Sequence, residues 1–110
     1  MIYTLKAKEV EAIIQQQALK NKIDFYFFSK KSKRFFNSII LSGYQINNLV
    51  YFITKERFKN ELAKYTIRFC DLEDANLEIE VIGNFQGFTT AGKARKALLN
   101  ALNNNIIRIK

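Results

Sequence analysis

The chain has no histidine, tryptophan or proline, and only one cysteine and one methionine in 110 residues. Without histidine, the commonest general base and the commonest metal ligand are both missing. One cysteine closes no internal disulfide and builds no structural zinc site, and Cys70 without a histidine partner is a poor nucleophile. On an apolar strand it reads as core packing. A lone thiol fits a cytoplasmic protein, as does Met1–Val10, which lacks the apolar block of a secretory signal. No apolar run approaches the roughly 20 residues needed to span a bilayer, so no membrane role is expected. No linker is visible, and 1–110 is expected to form a single α+β domain. Ten phenylalanines and no tryptophan point to a core rich in Phe, Ile and Leu.

What the chain does have is positive charge. The formal net charge is +8 and the isoelectric point about 9.7, on a chain that is 48% apolar and 25% charged. That apolar content is ordinary for a folded protein, and the charge favours polyanionic or acidic partners. Its distribution is uneven. Lys20, Lys22, Lys30, Lys31, Lys33 and Arg34 lie close together, as do Lys93, Arg95, Lys96, Arg108 and Lys110. Asp71, Glu73, Asp74, Glu78 and Glu80 fall within one short stretch.

Periodicity predicts a short strand over Ile2–Leu5 and a helix over about Lys6–Lys20, with Ala7, Val10, Ile14 and Ala18 on one stripe and Asn21 as its stop. A three-strand meander follows: Ile23–Ser29, Phe35–Ser42 and Leu49–Thr54, joined by the basic turn Lys30–Arg34 and the polar turn Gly43–Asn48. Thr54 is a suitable N-cap for a second helix over Lys55–Tyr65, with Phe58, Leu62 and Tyr65 as its stripe. Ile67–Cys70 and Leu77–Val81 alternate as a hairpin around the turn Asp71–Asn76. Thr89 or Thr90 caps a third helix running to about Leu102, and Ile106–Ile109 suits an edge strand. The expected fold class is therefore α+β: a small antiparallel sheet, a three-strand meander plus a hairpin, packed against three helices. One core is expected to hold Val10, Ile14, Phe25, Ile39, Leu62, Ile79, Val81, Leu98 and Leu102.

Catalytic readings find little support. Gly87–Lys93 has the spacing of a phosphate-binding P-loop, but Ala94 stands where a magnesium-binding hydroxyl is needed, and too little chain follows to build a parallel sheet. What remains there is a cationic helix start, Gly92, Lys93 and Lys96 with Arg95, that suits an anion. The middle strands carry no carboxylate for nuclease chemistry, and Asp71, Glu73 and Asp74 read as turn formers rather than cation ligands. Tyr26, Tyr44 and Tyr51 are where a metal-free ribonuclease would place its groups, but no spacing supports it. Neither cofactor nor metal is expected, and the chain is read as a non-enzyme.

The strongest signal is the interleaving of Tyr26, Phe28, Lys30, Lys31, Lys33 and Arg34, with Phe36 beside them. Lysines neutralise phosphates and flat rings stack on bases. The expected function is a small basic module binding nucleic acid, RNA or DNA, through this lysine- and aromatic-rich hairpin. The rival reading is a protein-binding regulator or inhibitor whose basic patch docks on an acidic partner, such as one that itself handles nucleic acid. A third is a homodimer pairing through its last strand.

Overall fold

The computed structural model describes residues 2–22, 38–57, 61–84 and 86–103. Its elements run β1 (Tyr3–Lys6), α1 (Ala7–Lys20), β2 (Ser38–Ile46), β3 (Leu49–Glu56), β4 (Lys64–Asp71), β5 (Ile79–Ile82) and α2 (Ala91–Asn103). The strands form one antiparallel sheet in sequence order, β1-β2-β3-β4-β5. The α+β class and the antiparallel sheet agree with the sequence. The expected first meander strand, Ile23–Ser29, and the edge strand Ile106–Ile109 lie outside the described residues.

The central strand explains the layering. Val50, Tyr51, Phe52, Ile53 and Thr54 are all buried, so β3 is covered on both faces. Alternation sends Val50 and Phe52 to one face, where they meet Val10, Ile14 and Ala18 of α1, with Leu5, Ile40, Cys70 and Leu77. Tyr51 and Ile53 go to the other, where they meet Ala94 and Leu98 of α2, with Tyr44, Ile67 and Phe69. The Tyr51 and Phe69 rings stack across the strands at 5.9 Å between centroids. The buried apolar residues thus form two clusters on opposite faces of the sheet, not the single core expected. Val10, Ile14 and Leu98 are in them, and Ile79 and Leu102 are half-buried against them. Ile39, Leu62 and Val81 are exposed instead, at 60%, 86% and 38%. Phe25 lies outside the described residues.

Two further expectations are corrected. The helix expected over Lys55–Tyr65 is absent: β3 runs on to Glu56 and β4 already starts at Lys64, with Glu56 paired to Lys64. Only α1 and α2 are helical among the described residues, so the expected three helices become two. Gly43–Asn48 is not a long turn either. β2 continues to Ile46 and reverses through Asn47–Asn48, with Asn47 at φ +53°, a left-handed conformation that asparagine tolerates.

The helix ends follow local chemistry. Lys6 has no acceptor to offer α1, but its N–H donates to Glu9 Oε1 at 2.8 Å, the returning half of a capping box. Thr90 caps α2, its Oγ1 accepting the Lys93 N–H at 3.1 Å.

Candidate nucleic-acid interface

β3 and β4 carry charge of opposite sign at their two ends. At one end the sheet turns over at Leu49 and Asp71, which are paired. The Leu72 N–H donates to the Asn48 carbonyl at 2.8 Å, fastening the acidic stretch beside the β2–β3 turn. The aspartates there are occupied in shaping the turn. Asp71 Oδ1 accepts the Glu73 N–H at 2.9 Å, and Asp74 accepts the Asn76 N–H at 3.1 Å and the Glu78 N–H at 3.2 Å. Among the described residues no three His, Cys, Asp or Glu side chains come together in a way that would hold a metal ion. Cys70, fully buried beside this end, has its thiol pushed up to about 12 by burial, with Asp71 and Asp74 adding to it. A thiol so placed is not a nucleophile near neutral pH.

The other end of β3 and β4, seven residues and roughly 23 Å away, is cationic. Lys55 pairs with Tyr65, and Glu56 with Lys64. Tyr65 in turn pairs with Phe88 through two backbone hydrogen bonds, its N–H donating to the Phe88 carbonyl at 2.9 Å and the Phe88 N–H returning at 3.2 Å. That bridge sets the start of α2 at this end. Ala94 and Leu98 face the sheet, leaving Lys93, Arg95 and Lys96 exposed. α2 contains no acidic residue. Neither Lys55, Lys64, Lys93, Arg95 nor Lys96 makes an ion pair with a described residue. A Cβ built on Gly92 would meet nothing within 4 Å, so no described residue closes over that turn. The expected anion-binding set of Gly92, Lys93 and Lys96 therefore shares one open helix start, where the macrodipole adds to the positive potential.

Of the other residues singled out from sequence, Tyr26, Phe28, Lys30, Lys31, Lys33 and Arg34 lie outside the described residues. Tyr44 and Tyr51 are buried at 5% and 2%, out of reach of a substrate. The P-loop spacing over Gly87–Lys93 belongs to a different local structure. Phe88 bridges to β4, Thr90 is a helix cap, and the preceding strand β5 is antiparallel.

Sequence reasoning missed a polar cluster on α1's face of the sheet. Glu56, Thr54, Thr66 and Arg68 are each at most 2% exposed. The Thr54 and Thr66 hydroxyls donate to the two oxygens of Glu56 at 2.5 and 2.6 Å. Arg68 Nε donates to Thr54 Oγ1 at 2.9 Å and Nη2 to Glu56 Oε2 at 3.4 Å. Thr66 Oγ1 also accepts the Gln86 N–H at 2.9 Å, tying the loop before α2 to β4. Enclosure keeps this cluster from meeting a ligand, so it belongs to the scaffold that holds the cationic end. The signal was there in the spacing: Thr54 and Glu56 at i, i+2 share a strand face, as do Thr66 and Arg68.

One family model matches the chain over strands β2–β5 and part of each helix. The chain belongs to the family of unknown function DUF7447, whose model matches residues 12–99. No curated protein and no solved structure matches it. Among the described residues no helix is long and apolar enough to cross a membrane.

Proposed function

We propose that this DUF7447 member is a small, basic, non-enzymatic module that binds nucleic acid, RNA or DNA, through Tyr26, Phe28, Lys30, Lys31, Lys33 and Arg34. The observation that carries the reading is the segregation of charge along β3 and β4, with cations that make no ion pair to a described residue at one end and the acidic turn at the other. The lysine- and aromatic-rich stretch joins β2 at Ser38, and Ser38 pairs with Glu56, at the cationic end. A polyanion approaching that end meets an attractive potential and is repelled from the opposite one. Rings beside lysines add stacking to phosphate neutralisation, the combination that holds single strands without reading sequence.

Fluorescence-anisotropy titrations with labelled single- and double-stranded DNA and RNA, at several salt concentrations, test this. Log affinity should fall linearly with log salt, with a slope of about −0.7 to −0.9 per phosphate contact. Changing Lys31 and Lys33 to Ala should weaken binding to all sequences alike and make the slope shallower. Tyr26→Ala should cost a further 1–3 kcal/mol or so if its ring stacks on a base. Absence of binding to every nucleic acid at low salt would refute the reading and leave docking on an acidic partner protein.

A further inference from the structure

The described part of the fold carries its own pairing of aromatic and cationic side chains. Ile39, Lys55 and Tyr65 are successive cross-strand neighbours on β2, β3 and β4, and therefore form one row on α2's face of the sheet. α2 makes its contacts with β3 and β4, so the β2 end of that row is left open, with Ile39 60% exposed. Tyr65 and Lys55 are half-buried, not enclosed. Phe88, also half-buried, pairs with Tyr65 and leads within a few residues to exposed Lys93 and Lys96. Lys64 is the first residue of β4 and is exposed, its side chain leaving the strand on the face opposite Tyr65 at the very end of the sheet. This places aromatic surface and four lysines from three separate elements at one end of the sheet, without an ion pair to any described residue.

We infer that Tyr65, Lys55, Lys64, Lys93 and Lys96 form a second contact for a single-stranded nucleic acid, with Tyr65 offering a ring to a base and the lysines meeting the backbone phosphates. Two facts weigh against plain solubilising charge. Lys93 sits in the first turn of α2, with Lys96 in the next, and a cation in that first turn opposes the macrodipole where an acid would be favoured. The cations of α2, Lys93, Arg95 and Lys96, also cluster without a carboxylate in that helix, whereas surfaces built for solubility intersperse both signs. An external row of phosphates relieves both costs. The inference rests on the nucleic-acid reading above, and it adds that the ligand is contacted from β3, β4 and α2 as well as from the 26–34 stretch.

The test uses the full chain and a labelled single-stranded 20-mer of deoxythymidine or uridine. The double variant Lys93→Glu, Lys96→Glu should bind about tenfold or more weakly at moderate salt, with the salt slope shallower by roughly 1.4–1.8. Acidic residues at that helix start suit the dipole, so its melting temperature should not fall. Lys6→Glu, Lys8→Glu makes the same change in net charge on β1 and α1 and should weaken binding far less. Tyr65→Phe should bind like the wild type, and Tyr65→Leu, which keeps apolar bulk on the sheet but removes the ring, should bind more weakly. Equal losses from the two lysine pairs would overturn the inference, because net charge alone would then explain them. Wild-type affinity in Lys93→Glu, Lys96→Glu or in Tyr65→Leu would also overturn it. If Lys31→Ala, Lys33→Ala still weakens binding in that case, the function proposed above stands without this second contact. If the wild-type chain fails to bind the 20-mers and every duplex, both fall together.

Discussion

At the scale of single residues, the least expected feature is a charge pair inside the fold. Glu56 and Arg68 have almost no exposed surface, and their cost of leaving water is met by the hydroxyls of Thr54 and Thr66 as well as by each other. Attraction within such a pair rarely exceeds its desolvation by much, but an abandoned partner is expensive. Glu56→Ala should therefore destabilise the protein by about 3–5 kcal/mol in urea unfolding, since it removes the buried carboxylate that Arg68, Thr54 and Thr66 all meet. The double variant Glu56→Met, Arg68→Met removes both charges and should recover most of that loss. A single variant as stable as the wild type, or a double variant worse than the single, would contradict the account. The cluster also explains why Thr54 is not a helix cap. Its hydroxyl is committed to Glu56 two residues on and to Arg68 across the sheet, and both contacts need an extended backbone.

At the scale of elements, Gly43 shows how a correct local signal can point to the wrong structure. Glycine beside polar residues reads as a turn, yet Gly43 lies inside β2 and is buried. A Cβ there would come within 2.5 Å of the Tyr51 carbonyl oxygen and 2.9 Å of Val10 Cγ2, so the missing side chain lets α1 lie close on the sheet. Gly43→Ala should cost about 1–3 kcal/mol or more by overpacking. Adding Val10→Ala should not restore stability, because the nearest obstacle is backbone oxygen rather than a side chain that can yield. Restoration by that second change, read in thermal melts, would place the strain at the helix instead. Much else was legible. The α1 stripe, the start of β3, the Asp71–Asn76 turn and the cap and extent of α2 all follow from periodicity and caps, because each rests on neighbours within a turn or a strand. The Lys55–Tyr65 segment was not legible. Phe58, Leu62 and Tyr65 have helical spacing, but the pairing of Lys55 with Tyr65 and of Glu56 with Lys64 overrides it, and those partners are apart in sequence. Ile39 and Val81 were misplaced because alternation shows which residues share a face, not whether a helix covers it, and Leu62 because the helix that would have buried it does not form and it lies between β3 and β4. Of the candidate site, Gly92, Lys93 and Lys96 were read correctly as lying at a helix start. The contribution of Lys55, Lys64 and Tyr65 could not be seen, since it depends on that same unforeseen pairing.

At the scale of the whole molecule, a sheet covered by one helix on each face leaves its ends as the places where charge is displayed. The net +8 is not spread evenly, and the acidic turn lies roughly 23 Å along the strands from the cations of β3 and β4. That separation decides how the acidic end can influence a polyanion held at the basic end. The Debye length is about 30 Å at 0.01 M salt and about 8 Å at 0.15 M, so repulsion from the turn reaches the ligand only in dilute salt. Glu73→Gln, Glu78→Gln removes two exposed charges and keeps Asp71 and Asp74, whose carboxylates hold the turn. The variant should fold with unchanged stability and bind single-stranded nucleic acid several-fold more tightly at 0.01 M salt. At 0.15 M the gain should vanish, because more than two Debye lengths then separate the turn from the ligand. Weaker binding in this variant, or a gain that persists at 0.15 M, would mean that the acidic turn touches the ligand, and that the molecule does not present one end alone to its partner.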